Sequence, residues 1–248
     1  MSDRTKIRRL TVATYNVHRC IGTDRRLEPD RVVDVLRALD ADVVGLQEVD
    51  MQHRVDGESQ LTYIGQSLGM TAVMGPNLLH HKGHFGNALL TRLPLRAVRR
   101  VDLSVERYEP RGLIDAHLGL GPMEMRVIVT HLGLRSAERR HQVSRLQHAL
   151  DEHGPRPMVV MGDFNEWKPT QGALRVLNRR LGASMAPRTF PSRFPLLPLD
   201  RIWVWPAHGL TRLTVYASQL ARVASDHLPL LAEIAWDEET ERSVTKTI

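Results

Sequence analysis

Hydrophobic and polar positions follow two periods along this chain, one typical of strands and one typical of helices. Residues 10–17 form a short apolar run that predicts a first strand. After Pro29, which suits a helix start, apolar residues recur at helical spacing up to residue 39. A second helical stripe over residues 61–68 stops at Gly69, a residue common just after helix ends.

The rest of the chain contains more strand patterns than helix patterns. Two further helices are predicted over residues 136–154 and 170–181. Further strands are predicted over residues 42–49, 71–74, 87–91, 95–103, 113–118, 125–131, 158–161, 202–205, 213–217 and 228–235. About ten strands against four helices exceeds what simple βαβ alternation supplies, so we expect an α/β fold with two sheets packed face to face and helices outside.

The pattern indicates one domain. No repeat, low-complexity segment or linker-like stretch interrupts residues 10–236, so we expect a single domain there that is large enough to be an enzyme. It would be preceded by an arm at 1–9 and followed by a polar tail at 237–248. No apolar run is long enough to span a bilayer, and the apolar stretch after the basic N-terminus is too short for a secretory signal. The single cysteine, Cys20, fits a reducing compartment. The expected location is the cytoplasm.

Charge suggests polyanionic partners but leaves two explanations open. The 248 residues carry a net charge of +6, and all but four of the 34 basic residues are arginine. Arginine forms forked contacts with phosphate, which would suit a phosphate-binding protein. The coding composition of the genome is an equally good explanation of the arginine bias.

Several polar side chains stand at the ends of apolar runs, where a core residue is expected. They are Asn16, Glu48, His131, Asp163 with Asn165, and Asp226 with His227. Each one alone is typical of a turn or of a surface charge. Together they offer hard oxygen ligands suited to Mg²⁺ or Mn²⁺, and two histidines able to act as acid and base near neutral pH. Zinc-type clusters, phosphate-binding glycine loops and a serine-hydrolase elbow are all absent from the sequence.

In their order along the chain, the motifs around these residues resemble those of the endonuclease/exonuclease/phosphatase superfamily, whose members include deoxyribonucleases, apurinic endonucleases, inositol polyphosphate phosphatases and neutral sphingomyelinases. The resemblance covers nearly the whole chain. It is carried by Thr-Tyr-Asn at 14–16, Leu-Gln-Glu at 46–48, Gly-Asn-Ala at 86–88, Thr-His-Leu at 130–132, Gly-Asp-Phe-Asn at 162–165, Leu-Asp-Arg-Ile at 199–202 and Ser-Asp-His at 225–227. It implies a four-layer α/β/β/α sandwich and a Mg²⁺-dependent phosphoric ester hydrolase, with Mn²⁺ as an alternative metal.

The resemblance also implies roles for individual residues. Asn16 and Glu48 would hold the metal, with Asp226 as a ligand or close neighbour. Asp200 would orient His227, which would activate the attacking water. The side chains expected to contact the phosphate or to position the water are Asp163, Asn165, Arg111 and Asn87. His131 would either contact a phosphate oxygen or protonate the leaving group. Strand alternation supports the Asp200 assignment, since it places Asp200, Ile202 and Val204 on one face.

Three hypotheses about function follow. A nuclease acting on nucleic acid is favoured by the basic charge, and a phosphodiesterase or phosphatase for a phospholipid or small phosphate ester is the alternative. A binding protein that has lost catalysis is the third. Such a protein should lack some of the expected metal-binding residues or histidines, and this sequence has all of them. The sequence indicates no particular protein partner.

Two surface features have alternative interpretations. The segment 194–198, Phe-Pro-Leu-Leu-Pro, is expected to pack ahead of Asp200, with an exposed apolar lip as the alternative. His80, His81 and His84 crowd one loop, which is interpreted as solvated or substrate-facing rather than as a metal site.

Overall fold

A computed structural model describes residues 8–50, 54–55, 57–75, 85–152, 156–168 and 172–236. The predicted tail, most of the predicted arm and the loop of His80, His81 and His84 lie outside these residues. None of the helices in the described ranges is long and apolar enough to cross a membrane. The helices are α1 Pro29–Leu39, α2 Gln60–Leu68, α3 Ser136–Asp151, α4 Leu174–Leu181 and the short α5 Ala221–Ala224. The strands are β1 Arg8–Asn16, β2 Val43–Asp50, β3 Arg54–Val55, β4 Glu58–Ser59, β5 Thr71–Met74, β6 Phe85–Thr91, β7 Leu95–Asp102, β8 Gly112–Leu120, β9 Met123–His131, β10 Met158–Asp163, β11 Asp200–Trp205, β12 Leu210–Val215 and β13 Leu230–Trp236.

Two mixed sheets organise these strands. The first has six strands in the order β12-β13-β1-β2-β6-β5, and the second has five in the order β11-β10-β9-β8-β7. Each contains one parallel pair, β1 with β2 and β9 with β10, and the remaining neighbours run antiparallel. The short β3 and β4 form a separate hairpin. That hairpin was not predicted, because two-residue strands carry no readable period.

Three apolar clusters stack the elements into layers. A central cluster joins inward residues of β1, β2 and β13 to those of β8, β9, β10 and β11. A second packs α1 and α2 on the outer face of the six-stranded sheet, and a third packs α3 and α4 on the outer face of the other sheet. This arrangement confirms the four-layer α/β/β/α sandwich. At Gly45 the sheets approach so closely that an added Cβ would lie 3.0 Å from Val129 and 3.1 Å from Met161.

Most predicted elements are present with shifted ends. Strand β8 extends two residues further at its carboxyl end than predicted, and β13 begins at Leu230 rather than at residue 228. Helix α4 begins at Leu174, after residues 169–171, which are not described. The two strand shifts have a common cause, since pairing with a neighbouring strand decides where a strand ends and the local pattern does not contain that information.

A buried ion pair ties α3 to the second sheet. Arg126 of β9 donates from Nε and Nη2 to the two carboxylate oxygens of Asp115 on β8, each at 2.7 Å, and both side chains are fully buried. The same guanidinium donates to the carbonyl oxygens of Ala149 at 2.6 Å and Leu150 at 3.3 Å near the end of α3. Carbonyls near a helix end have no partner within the helix, so Arg126 supplies one.

Burial by itself would raise the pKa of Asp115, but Arg126 and Arg99 outweigh it and hold that pKa below 3.8. A carboxyl whose folded pKa is depressed binds protons less readily than in the unfolded chain. Its contribution to stability is therefore present above pH 3.8 and is lost as the pH falls through the lower, folded value.

We predict that Arg126→Met lowers the free energy of unfolding by about 3–5 kcal/mol, because it leaves the buried Asp115 carboxylate without its main partner. Urea unfolding followed by circular dichroism measures the change. The double variant Asp115→Leu/Arg126→Met should recover part of the loss, since it removes both charges. As a matched control, Arg37→Met breaks the exposed Arg37–Asp34 pair and should cost about 1 kcal/mol or less. Equal losses at the two arginines would contradict this account.

Candidate active site

The inward faces of four strands end in polar side chains at one end of the gap between the sheets. On β1, Asn16 follows the inward residue Val12 at even spacing. On the second sheet, His131, Asp163 and Asp200 are direct neighbours across β9, β10 and β11. Each continues a face that carries central-core residues further along its strand, as predicted for Asp200 with Ile202 and Val204. The sandwich therefore brings these side chains, widely separated in sequence, to one place.

Glu48 reaches the same place through a bulge. The pairing of β2 with β6 shifts between Leu46 and Val49, which sets Gln47 and Glu48 opposite Asn87 alone. Both Leu46 and Val49 pack in the helix-side core, so regular alternation would have turned Glu48 toward the helices. Instead Glu48 has a φ of 57°, a conformation that costs energy for a residue with a Cβ. The bulge aims this carboxylate at the gap between the sheets.

Asn16 joins two of these carboxylates. Its Nδ2 donates to Glu48 Oε1 and to Asp163 Oδ2, each at 3.1 Å. Its Oδ1 accepts from the backbone N–H of His18 at 3.0 Å, which fixes the orientation of the amide. In this arrangement Asn16 positions Glu48 and Asp163, and its predicted role as a direct metal ligand stays a prediction.

His227 lies between two buried carboxylates. Its Nδ1 donates to Asp200 Oδ2 at 2.9 Å, and its Nε2 lies 3.6 Å from Asp163 Oδ2. Asp200 Oδ2 also accepts from the hydroxyl of Thr189 at 2.5 Å, and the ring of Phe190 packs 4.9 Å from the imidazole. The predicted pairing of Asp200 with His227 is therefore present in the structure.

His131 lies near the same carboxylate oxygen of Asp163 as His227 does. Its Nε2 lies 3.5 Å from Asp163 Oδ2 and accepts from the side-chain amide of Asn165 at 3.0 Å. The same amide donates to the carbonyl of Leu132 at 2.9 Å, and Asp163 Oδ1 accepts the backbone N–H of Asn165 at 2.9 Å. Asn165 has a φ of 49°, so its backbone, like that of Glu48 in the bulge, is held in a strained conformation.

Electrostatics separate the two histidines. Burial, with the positive charges of Arg111 and His227, holds the pKa of His131 well below 6.5, so this ring is neutral. Burial alone would also lower the pKa of His227, but Asp200 and Asp163 outweigh it and raise that pKa to about 10. Burial raises the pKa of Asp163 to about 6. The three groups lie close together, so the protonation state of each one depends on the charge of the others.

An open pocket of about 380 Å³ connects these groups to solvent. Its charged wall includes Glu48, Asp226 and Arg111, and its apolar wall includes Leu134 and Trp167. Arg111 is almost fully buried and donates to Glu109 at 2.8 Å, so it is not the exposed arginine that a strand start would suggest. A larger pocket of about 580 Å³ lies at the opposite end of the six-stranded sheet and contains none of these residues.

Asn87 makes a hydrogen bond between two strands. Its Nδ2 donates to the carbonyl of Gly112 at 2.8 Å, which links β6 to β8. It also lines a small recess beside Glu48, Arg111 and His131. Its predicted contact with substrate stays a prediction.

The sequence patterns did not identify the buried residues that hold the site residues and their loops in place. The position of Arg139 early in a helix predicts either a solvated charge or a salt bridge; the salt bridge to Glu166 is present at 3.0 Å, but the burial of the side chain is not predicted. Thr189 was not singled out, although it holds Asp200. Gly162 was noted only as part of a motif, yet its φ of 149° and close approach to β9 exclude any side chain, since a Cβ would overlap the carbonyl oxygen of Thr130. A cationic residue in the first turn of a helix gives no signal of burial, so only the fold could identify Arg139.

The donor set fits a divalent cation. Glu48, Asp163 and Asp226 supply carboxylate oxygens around one pocket, which is the chemistry that Mg²⁺ and Mn²⁺ prefer. Ligand atoms of Asp163, Asp200 and His227 also lie within 4.8 Å of one another, close enough to share an ion. Asp200 does not line the open pocket and its Oδ2 already accepts two hydrogen bonds, whereas Glu48, Asp163 and Asp226 all line it, so we favour the Glu48 side as the place for the cation.

A sequence profile of the Endonuclease/Exonuclease/phosphatase family matches residues 13–227, and the chain belongs to this family. Members are in general phosphoric ester hydrolases.

Individual relatives agree with this assignment. The uncharacterized protein YbhP of Escherichia coli strain K12 is 34% identical, with 94% of this chain and 99% of that protein covered. Among solved structures, an endonuclease/exonuclease/phosphatase family protein from Bacteroides thetaiotaomicron is similar with a TM-score of 0.77 at 19% identity, covering 94% of this chain and 99% of that one. A mannosyl-6-phosphatase from Bacteroides thetaiotaomicron is similar with a TM-score of 0.76 at 19% identity, covering 92% and 100%. At this identity the two structures show a shared fold.

We predict that Glu48→Gln weakens Mn²⁺ binding by about tenfold or more, because it removes a charged oxygen donor while keeping the shape of the side chain. Isothermal titration calorimetry measures the affinity, and thermal unfolding checks that the fold is intact. Glu233→Gln, an exposed carboxylate at the other end of the sheet, is the matched control and should leave the affinity unchanged. Equal affinities for Glu48→Gln and the parent would refute the assignment.

Proposed function

We propose that this protein is a divalent-metal-dependent phosphodiesterase that hydrolyses a P–O bond with water. One observation supports the proposal above the others: Asp200, His227 and Asp163 form a continuous buried chain that ends at the pocket holding Glu48, Asn165 and His131. A binding protein would have no need for a charged chain this costly to bury.

The chain's own residues supply the base and its orientation. Asp200 holds His227 by Nδ1, which leaves Nε2 directed toward Asp163 and the pocket. Water that loses its proton to Nε2 forms the new P–O bond, while the ester P–O bond breaks and the leaving oxygen is protonated by solvent at the open mouth. When bound, a divalent cation would neutralise charge on the phosphate and oppose the pull of the carboxylates on His227, whose proton must leave before it can act as a base.

Other side chains are placed to hold the phosphate. Arg111 adds a buried positive charge to the pocket wall, and Asn165 lines the same wall with a side-chain amide whose N–H groups bond His131 and Leu132. Because His131 is neutral and its Nε2 accepts a hydrogen bond from Asn165, we assign it to positioning that amide, and its contact with a phosphate oxygen stays a prediction. Fixed donors of this kind stabilise charge that develops in the transition state.

Two substrate classes stay open within this function. The basic charge favours nucleic acid, which makes a nuclease the first candidate. A specific observation favours a phospholipid or small phosphodiester: the pocket wall combines Arg111 with apolar Leu134, Trp167 and Phe190. A location in the cytoplasm remains the prediction of the sequence.

We predict that His227→Ala and Asp200→Asn each lower kcat on bis(p-nitrophenyl) phosphate by about 10²–10⁴-fold, because either change removes general-base catalysis. The double variant should be little slower than the slower single variant, since the two residues act as one unit. Steady-state kinetics at saturating Mg²⁺ measure all three variants. His148→Ala, whose side chain is 81% exposed, serves as the control and should keep full activity. Multiplicative losses in the double variant would show that the pair does not act together.

The substrate classes differ in their salt dependence. If the substrate is duplex DNA, the binding constant of an Asp163→Asn variant should fall with salt at a log–log slope of about −0.9 per phosphate contacted. A single-headgroup substrate engages about one or two charges and gives a shallow slope. Fluorescence anisotropy with a labelled duplex, from low to physiological salt, measures the slope. Absent or salt-insensitive binding would rule out the nuclease candidate.

A further inference from the structure

Four exposed apolar side chains stand at the mouth of the pocket. Leu134, Trp167, Phe194 and Leu196 are 71%, 49%, 77% and 62% exposed, and we call them the apolar rim. Single exposed hydrophobic residues are ordinary, but several gathered around one opening mark an interaction surface. Leu134 and Trp167 belong to the pocket wall itself.

Phe194 and Leu196 belong to a loop whose two ends also line the pocket. Phe190 and Leu197 pair across the base of this loop, and both contribute to the pocket wall. The exposed residues between them, which include Phe194 and Leu196, are therefore held next to the pocket. The segment was expected to pack ahead of Asp200, and the exposure of Phe194 and Leu196 shows that this expectation is wrong and that the alternative, an apolar lip, is right.

Buried polar contacts hold the rim in place. Arg139 donates to the carbonyls of Gly133 at 3.2 Å and Leu134 at 2.6 Å, pairs with Glu166, and lies 5.9 Å from the ring centre of Trp167. One buried guanidinium thus supports two of the four rim positions.

The loop of Phe194 is anchored in the same way. Arg222 donates to the carbonyls of Ser192 and Arg193, each at 2.9 Å, and the backbone N–H of Ser192 donates to the carbonyl of Asp226 at 2.7 Å. A scaffold that fixes exposed apolar side chains instead of letting them fold inward indicates that they have a partner.

Cations accompany the rim. Arg135 follows Leu134, Lys168 follows Trp167 and Arg193 precedes Phe194, and all three are exposed. The acidic neighbour of Trp167, Glu166, is buried and neutralised by Arg139. Apolar tips with adjacent cations match the chemistry of a bilayer surface that carries anionic headgroups above acyl chains. A phosphate backbone would be met by the cations and would leave the apolar tips in water.

We propose that the apolar rim docks this protein on an anionic phospholipid bilayer, so that the pocket opens onto the headgroup layer. The use of this docking rests on the proposed function, because it would deliver a phosphodiester of a lipid to the site. The docking itself is a separate property, since Phe194 and Leu196 take no part in hydrolysis.

Vesicle binding by the full chain tests the proposal. Sedimentation with phosphatidylcholine vesicles, with and without phosphatidylserine, should show binding that requires the anionic lipid. Trp167 reports insertion directly, because Trp203 and Trp236 are buried and Trp205 is only partly exposed. Its emission should shift to shorter wavelength on anionic vesicles, and brominated lipid should quench it.

Variants separate the apolar and charged contributions. Phe194→Ser/Leu196→Ser should lower the vesicle partition constant by about tenfold or more, and Arg193→Gln by about fivefold. Leu95→Ser is the matched control, because Leu95 is similarly apolar but lies at the end of β7 away from Arg111, and it should bind as the parent does. All of these variants should keep parental activity on bis(p-nitrophenyl) phosphate.

The outcomes distinguish this proposal from the proposed function. No binding to anionic vesicles, or equal binding by Phe194→Ser/Leu196→Ser and the parent, overturns the docking proposal even when the soluble ester is hydrolysed. Loss of duplex DNA binding in that variant, without vesicle binding by the parent, would also overturn it and assign the rim to nucleic acid. Vesicle binding by a chain that hydrolyses no phosphodiester would refute the proposed function alone.

Discussion

The packing of the two sheets against each other is the constraint on which the rest of this structure depends. Inward positions along β1, β9, β10 and β11 fill the gap between the sheets with apolar side chains, and the next inward position at one end of each strand is polar. Polar groups are tolerated there because water and hydrogen-bond partners reach the end of the gap. The candidate active site is thus the continuation of the core at its open end.

The free-energy cost of burying these charged groups is offset by their interactions with one another. Asn16, His131 and His227 all lie near Asp163, so the buried carboxylate and the two imidazoles of the candidate site have polar neighbours. The strained conformations of Glu48 and Asn165 persist because the bulge, the close β9–β10 approach at Gly162 and these hydrogen bonds determine them together. Strain at such positions is common where side chains must be aimed for function rather than for stability.

The surroundings of the site are built by a second set of buried ion pairs. Arg126 with Asp115 fixes α3 on the sheet, and Arg139, near the start of the same helix, holds the loops of Leu134 and Trp167. A side chain of the helix layer thereby contacts the two loops at the pocket mouth. This connection links the stability of the sandwich to the shape and the apolar character of the opening.

Local periodicity by itself determined the element types, and motif order determined the family and most of the site, since Asn16, His131, Asp163, Asp200 and His227 all end or begin apolar runs. The tertiary structure decided what no local pattern contains. Strand pairing created the bulge that turns Glu48 inward, packing of α3 buried Arg139, and the Phe190–Leu197 pairing exposed the lip of Phe194. Each depends on contacts between residues far apart along the chain, and a pattern of neighbouring positions cannot encode them.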